Sequence, residues 1–483
     1  MEQHEIVRNK ELNIWEALIP VFALVVMLAY NVYVFGDDAV SGSNQFILLM
    51  GGAVAAIVGY FNKTSFDDML SNIGSNIKSV TTAIIILLLV GALVAAWLIS
   101  GVIPAMIYYG LKLINPIVFL PTAVIISAII SIATGSSWTT SATIGIALIA
   151  IGKAIGLPAG MVAGAVISGA YFGDKMSPMS DTTNLAAAMA GTNLFTHIKY
   201  MSFTTIPSIL ITLFVFTILS LTHNVSSYGG TEVLLTAIDS SFNISPMLFI
   251  VPLIVIVLII KKTQPVIALL AGILLGAIFS LIFQMDVLSG LHAKSAISAN
   301  SLYKHIMAAI TTGVAIDTPN ADLNDLFSVG GMKGMLGTIW LILCAMIFGG
   351  IMEAIGALSR ISQALLSLAK TTFGLFVSTV SSCLALNLTA SDQYLAIVVP
   401  GKMFQKPFKD AGLAPENLSR TLEDSGTVTS ALIPWNTCGA YQVGVLGVGV
   451  SEYFVYAIFN YLSPFMTLLF AAFKIKIRQL KTN

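Results

Sequence analysis

The chain has 483 residues, 57% of them hydrophobic and only 10% charged. Soluble domains carry about 25% charge, so this composition excludes a soluble globular protein and points to an all-α polytopic membrane protein. The 23 Lys and Arg balance the 23 Asp and Glu, which leaves no basic surplus to hold nucleic acid.

Residues 1–13 alternate acidic and basic groups and lack a small-residue cleavage site, so they read as a retained cytoplasmic tail. Apolar runs long enough to cross a bilayer follow at about 14–35, 46–61, 79–99, 161–189, 200–222, 246–260, 265–284, 334–352, 424–446 and 452–473. Two further apolar pairs flank polar tips. The first, about 117–152, surrounds TGSSWTT (134–140); the second, about 373–400, surrounds TASDQ (389–393). Both read as re-entrant hairpins. With the N-terminus inside, most Lys and Arg fall on the cytoplasmic side, among them Lys78, Lys261, Lys262, Arg420 and the cations of the 474–483 tail. Lys112, Lys153, Lys294, Lys304 and Lys333 fall outside, and Lys175 stays within the membrane. The 223–245 connection, free of Lys and Arg, becomes external.

A shift of about 255 residues superposes Lys78 on Lys333, Thr134 on Thr389, Ser136 on Ser391 and Asp181 on Asn436. One register thus pairs both hairpin tips and both polar interruptions. The reading is two inverted repeats, 14–222 and 246–473, each of five transmembrane helices plus a re-entrant hairpin. Broken helices at 161–189 and 424–446 would meet at the midplane, as in secondary transporters.

The stretch GDKMSPMSDTTN (173–184) carries the chemistry. It places Asp174, Lys175, Pro178 and Asp181 where a span should be featureless. Each ionisable group at that depth costs about 2.5–3.5 kcal/mol, which a chain accepts when the group lines a cavity, pairs or binds something. Pro178 breaks the span, exposing backbone carbonyls beside Thr182 and Asn184. The matching stretch, 423–441, brings Glu423, Asp424, Ser425, Thr427, Asn436 and Thr437, with Gly426 and Pro434 to unwind it. The tips add Ser136, Ser137, Thr389, Ser391 and Asp392. Oxygen donors of this kind suit a hard cation such as sodium. Lys175 can instead pair with Asp174 or contact an anion. A single membrane hydroxyl often does no more than bond the carbonyl one turn back. Cys344, Cys383 and Cys438 read as packed apolar residues, and the histidines lack metal-ligand spacing, so no transition metal is expected.

Three blocks resemble the NhaC-type sodium/proton antiporter family: ATGSSWTTSATIGIALIAIG (133–152), SGAYFGDKMSPMSDTTNLAAAMAGTNLFTHIKYM (168–201) and LAPENLSRTLEDSGTVTSALIPWNTCGAYQVGVLGV (413–448). The similarity runs from about residue 14 to about 470. It implies an exchanger of sodium for protons in the bacterial inner membrane, with sodium and protons as cargo and no cofactor. It also implies an elevator-like transport unit beside a dimer scaffold, hence a homodimer. Malate/lactate antiporters share the blocks, so malate or lactate stands as the alternative cargo. The 285–330 segment is peculiar to this chain.

The resulting expectation is transport, not enzymology. A buried carboxylate that holds either a proton or a sodium ion, but not both, couples the two. Asp181 leads the candidates, ahead of Asp392 and Asp174. Organic-anion exchange needs positive counter-charge, and within the membrane only Lys175 and the hairpin amides supply it, although amides alone can bind a carboxylate. YFGD (171–174) superficially fits an intramembrane aspartyl protease, but paired hairpins and breaks have no part in that chemistry.

Overall fold

The computed structural model describes residues 12–35, 39, 42–113, 115–222, 229–261, 263–290 and 299–480. Nearly all of the N-terminal tail (1–13), residues 223–228 of the 223–245 connection, Lys262, Lys294 and Lys481 lie outside it.

Among the described residues eight helices are long and apolar enough to cross a bilayer. Two bent pairs raise that to ten: Glu232–Ser241 with Pro246–Ile260, at 86°, and Val450–Tyr456 with Ile458–Ala472, at 51°. The one sheet is a two-residue antiparallel ribbon, Val314–Ala315 with Ser328–Val329. The all-helical, multi-span reading therefore holds. The first arm of each hairpin, Pro116–Thr134 and Thr372–Thr389, is by itself long enough to span.

Several elements were not visible as spans. Phe66–Ser79, Val102–Leu113 and Ala357–Ser367 are helices between the long runs. The 285–330 segment folds into Ala299–Thr312, the ribbon and Ala321–Leu326. It is anchored by the fully buried Phe327, packed edge-on against Phe242 at 5.1 Å.

Local signals explain most boundaries. Asn115 caps its helix start by accepting from the Ile117 amide at 3.0 Å, ahead of Pro116. Glycines in the left-handed region end helices at Gly135, Gly191 and Gly447. The helix Ala159–Met176 lies directly against the first hairpin arm, Phe119–Thr134. Its Gly169 and Gly173 make this possible: a Cβ there would meet the Val124 and Ala128 carbonyl oxygens at 2.2 and 2.5 Å.

Candidate functional site

The first break lies where Pro178 demands it. The helix Ala159–Met176 stops at Ser177, and a second helix, Asp181–Ala190, starts after Ser180. The Ser180 hydroxyl accepts from the Thr183 amide at 3.3 Å, a serine N-cap. The Asn184 amide donates to the carbonyls of Pro178 (3.1 Å) and Ser180 (2.7 Å), so it closes the break. Ser177 donates to the Ile132 carbonyl at 2.9 Å, which ties the break to the hairpin arm.

The first hairpin tip meets this break. Ser136 caps the return arm by accepting from the Thr139 amide at 3.1 Å. Ser137 donates twice to Asp174 Oδ2, from its amide at 3.0 Å and its hydroxyl at 2.7 Å. Asp174 therefore binds the tip, and not its sequence neighbour Lys175. Gly135 (φ 69°) makes the approach possible, because a Cβ would stand 2.7 Å from Met179 Cβ and 2.8 Å from its carbonyl carbon. Gly135→Ala should destabilise the protein by about 1–3 kcal/mol through the strained φ and this clash. Thermal unfolding in detergent measures it.

The second broken helix begins earlier than the apolar run from 424 predicts. A helix already runs from Pro415 to Leu422, followed by a π turn at Glu423–Thr427 and a 3₁₀ turn at Ser430–Leu432. Helix resumes at Thr437–Leu446, with Asn436 capping it by accepting from the Cys438 amide at 3.0 Å. Such π turns concentrate at functional sites. Asn387, on the second hairpin arm, donates to the Gly426 carbonyl at 2.8 Å and to the Thr429 hydroxyl at 3.0 Å. At the second tip Ser391 takes a left-handed φ of 59°. Its carbonyl accepts from the Thr437 amide at 2.9 Å. Asp392 caps the return arm by accepting from the Leu395 amide at 2.9 Å.

The two halves interlock. Trp138 of the first tip stacks on Tyr441 of the second broken helix at 4.1 Å, and Tyr441 donates to the Trp138 carbonyl at 3.1 Å. Lys175 pairs with Asp424, 249 residues away in sequence, and both side chains are fully buried. Asp424 also accepts from Thr204 at 2.8 Å and from Thr467. That carboxylate is thus filled by protein donors. Next to it Glu423 has no ion pair among the described residues. Its Oε1 accepts from Thr182 (3.1 Å) and Thr183 (3.5 Å). Its Oε2 and the Thr427 hydroxyl, both buried, form no hydrogen bond to another group at full geometry among the described residues.

A cavity of about 590 Å³ lies between these parts. Both hairpin tips line it, as do Asp174, Asp181, Thr182, Asn184, Asp392 and Thr437. Among its described lining no Lys, Arg or His occurs. Asp174 and Asp392 are buried, whereas Asp181 is exposed to the cavity and makes no hydrogen bond among the described residues. Ser79, Val80, Thr263, Gln264 and Pro265 also line it.

Not all candidate residues meet there. Asp424 and Glu423 sit behind the cavity wall. Thr389 and Ser425 donate to the carbonyls one turn back, of Ala385 at 2.8 Å and of Thr421, the plain role of a membrane hydroxyl. Residues outside the sequence-based set also take part. Thr204 and Thr467 complete the Asp424 shell, and Gln393 and Tyr394 line the cavity. Arg420, a loop cation in the sequence pattern, is fully buried on the helix Pro415–Leu422.

Broken helices and hairpin tips around a carboxylate-lined cavity, in a multi-span helical chain, define a membrane transporter. The chain belongs to the Na⁺/H⁺ antiporter family, whose model matches residues 169–475. It is 36% identical over 417 residues to the Na⁺/H⁺ antiporter NhaC of Alkalihalophilus pseudofirmus, covering 86% of this chain and 87% of that one. It is 38% identical over 395 residues to NhaC of Bacillus subtilis, covering 81% and 84%. It is also 34% identical over 468 residues to the malate-2H⁺/Na⁺-lactate antiporter of Bacillus subtilis, covering 95% and 93%.

Proposed function

We propose that the protein exchanges sodium for protons across the bacterial inner membrane, with both cations competing for carboxylates of the cavity. The observation that carries this reading is the cavity lining: three aspartates and no cationic side chain among the described residues. Fixed negative charge without a counter-ion attracts a mobile cation and repels a dicarboxylate. The hydroxyls of Ser136, Ser137 and Thr139 at the first tip, with those of Thr182 and Thr437, offer further oxygen ligands of the kind a hard cation takes. Asp181 is the first candidate for the switching group, because it alone of the three is exposed in the cavity and makes no side-chain hydrogen bond among the described residues. Lys175 contributes no anion site, since Asp424 already holds it.

Ser79 and Val80, after Lys78, and Thr263, Gln264 and Pro265, after the 261–262 connection, line the cavity, and charge bias places those connections inside. That topology would open the cavity to the cytoplasm, in an inward-facing state. Two inverted repeats moving as an elevator within a dimer would carry the site to the other side.

The malate/lactate relative keeps a second cargo in view, but the lining argues against a dicarboxylate. In proteoliposomes a sodium gradient alone should drive counter-movement of protons. A malate gradient alone should drive neither ion. Malate uptake that follows the sodium and proton gradients would replace this reading with the organic-anion one.

A further inference from the structure

The last described residues, 474–480, lie across the end of the helix Pro415–Leu422. The Leu413 and Gln479 backbones form an antiparallel bridge. The Leu480 amide donates to the Gly412 carbonyl at 2.7 Å, and the Ala414 amide to the Arg478 carbonyl at 3.0 Å. Asn417 donates to that same Arg478 carbonyl at 2.7 Å, and Tyr200 donates to the Lys476 carbonyl. Arg478 closes the strap with an ion pair to Glu416 at 2.9 Å. Lys474 and Lys476 adopt left-handed φ values of 54° and 49°, a conformation costly for a residue with a side chain.

Under the strap lies an imbalance. Glu416, Arg420 and Asp424 stand one turn apart in succession, so they share one side of the chain. Arg420 is fully buried between the rings of Tyr200 (4.7 Å) and Phe470 (5.8 Å). None of its three guanidinium nitrogens has a hydrogen-bond partner among the described residues. Both neighbouring carboxylates are held by other cations: Asp424 by Lys175, and Glu416 by Arg478 of the strap. Glu416 keeps its Oε2 buried and without a partner. A buried guanidinium left without a carboxylate is an expensive arrangement, and the spare carboxylate oxygen stands one turn away.

We propose that the segment 474–480 is a releasable autoinhibitory latch, in which Arg478 and Arg420 compete for Glu416. With the strap docked, Glu416 faces Arg478, and the front end of the helix that leads into the second break is pinned. With the strap released, Glu416 turns to Arg420, the internal pair offsets the lost contact, and the break is free to rearrange. The two states exchange one ion pair for another, which is what keeps the element bistable.

The test reads exchange with the strap locked and unlocked. Bridge partners lie close enough for a disulfide, so Leu413→Cys with Gln479→Cys should join strap to loop when oxidised. The native cysteines are all buried and stay out of the reaction. In proteoliposomes of the full chain, oxidation should lower sodium-driven proton flux by about threefold or more, and reductant should restore it. Arg478→Ala should raise flux by about twofold or more, and Arg478→Lys should stay near wild type. Flux indifferent to the lock, or an Arg478→Ala protein slower than wild type, would overturn the latch. If the wild type moves malate instead of exchanging sodium for protons, the proposed cargo falls, and the lock is read on malate flux.

Discussion

Replacing Lys175 by methionine should destabilise the protein by about 3–5 kcal/mol. The change leaves Asp424 fully buried, with the hydroxyls of Thr204 and Thr467 as its remaining hydrogen-bond donors among the described residues. Two hydroxyl donors do not replace an ammonium ion, so the buried carboxylate loses its ion-pair partner. Lys175 also sits 5.3 Å from the Phe459 ring, and methionine retains that apolar contact. The loss is therefore electrostatic rather than a cavity effect. Adding Asp424→Asn should recover most of it, because the amide leaves no charge stranded and still accepts from the threonines. Thermal unfolding of the two single variants and the double variant in detergent measures the coupling. A Lys175→Met protein as stable as wild type would mean that the pair does not hold the two broken helices together.

What the chain discloses before folding follows from how local each cause is. Pro178 and Pro434 interrupt apolar runs, so both breaks could be placed from sequence. Ser136, Ser180 and Asn436 precede helices as short polar residues should, and each is a cap in the structure. The aspartates of the first break and the second tip were legible because hydrocarbon makes every stray charge conspicuous. The Lys175–Asp424 pair was not legible. Lys175 follows Asp174 directly, and nothing local says that its charge goes instead to the other half of the chain. Arg420 reads from sequence as a loop cation because the apolar run begins only at 424. The helix begins at Pro415 and draws the guanidinium inside. Phe66–Ser79 and Ala357–Ser367 were passed over because their polar faces dilute the apolar signal on which span-finding rests.

Asp181→Asn should lower sodium-driven proton flux by at least about tenfold while leaving thermal stability near wild type. Asp181 opens the helix Asp181–Ala190, is exposed to the cavity and holds no other part of the protein. An asparagine there keeps shape and removes only the charge and the exchangeable proton, the two properties that coupling needs. Asp174→Asn should behave differently, because Asp174 has a second role. Its Oδ2 receives both Ser137 donors, and charge-assisted bonds of that kind contribute about 1.5–3 kcal/mol. The amide weakens them, the hairpin tip loosens, and the variant should lose stability along with flux. The comparison separates the two kinds of carboxylate. Flux lost at both positions with stability lost only at Asp174 fits a cation site in the cavity. Coupled exchange that survives Asp181→Asn undiminished would move the switching group to Asp392 or Asp174, which lie deeper and already bond to the tips.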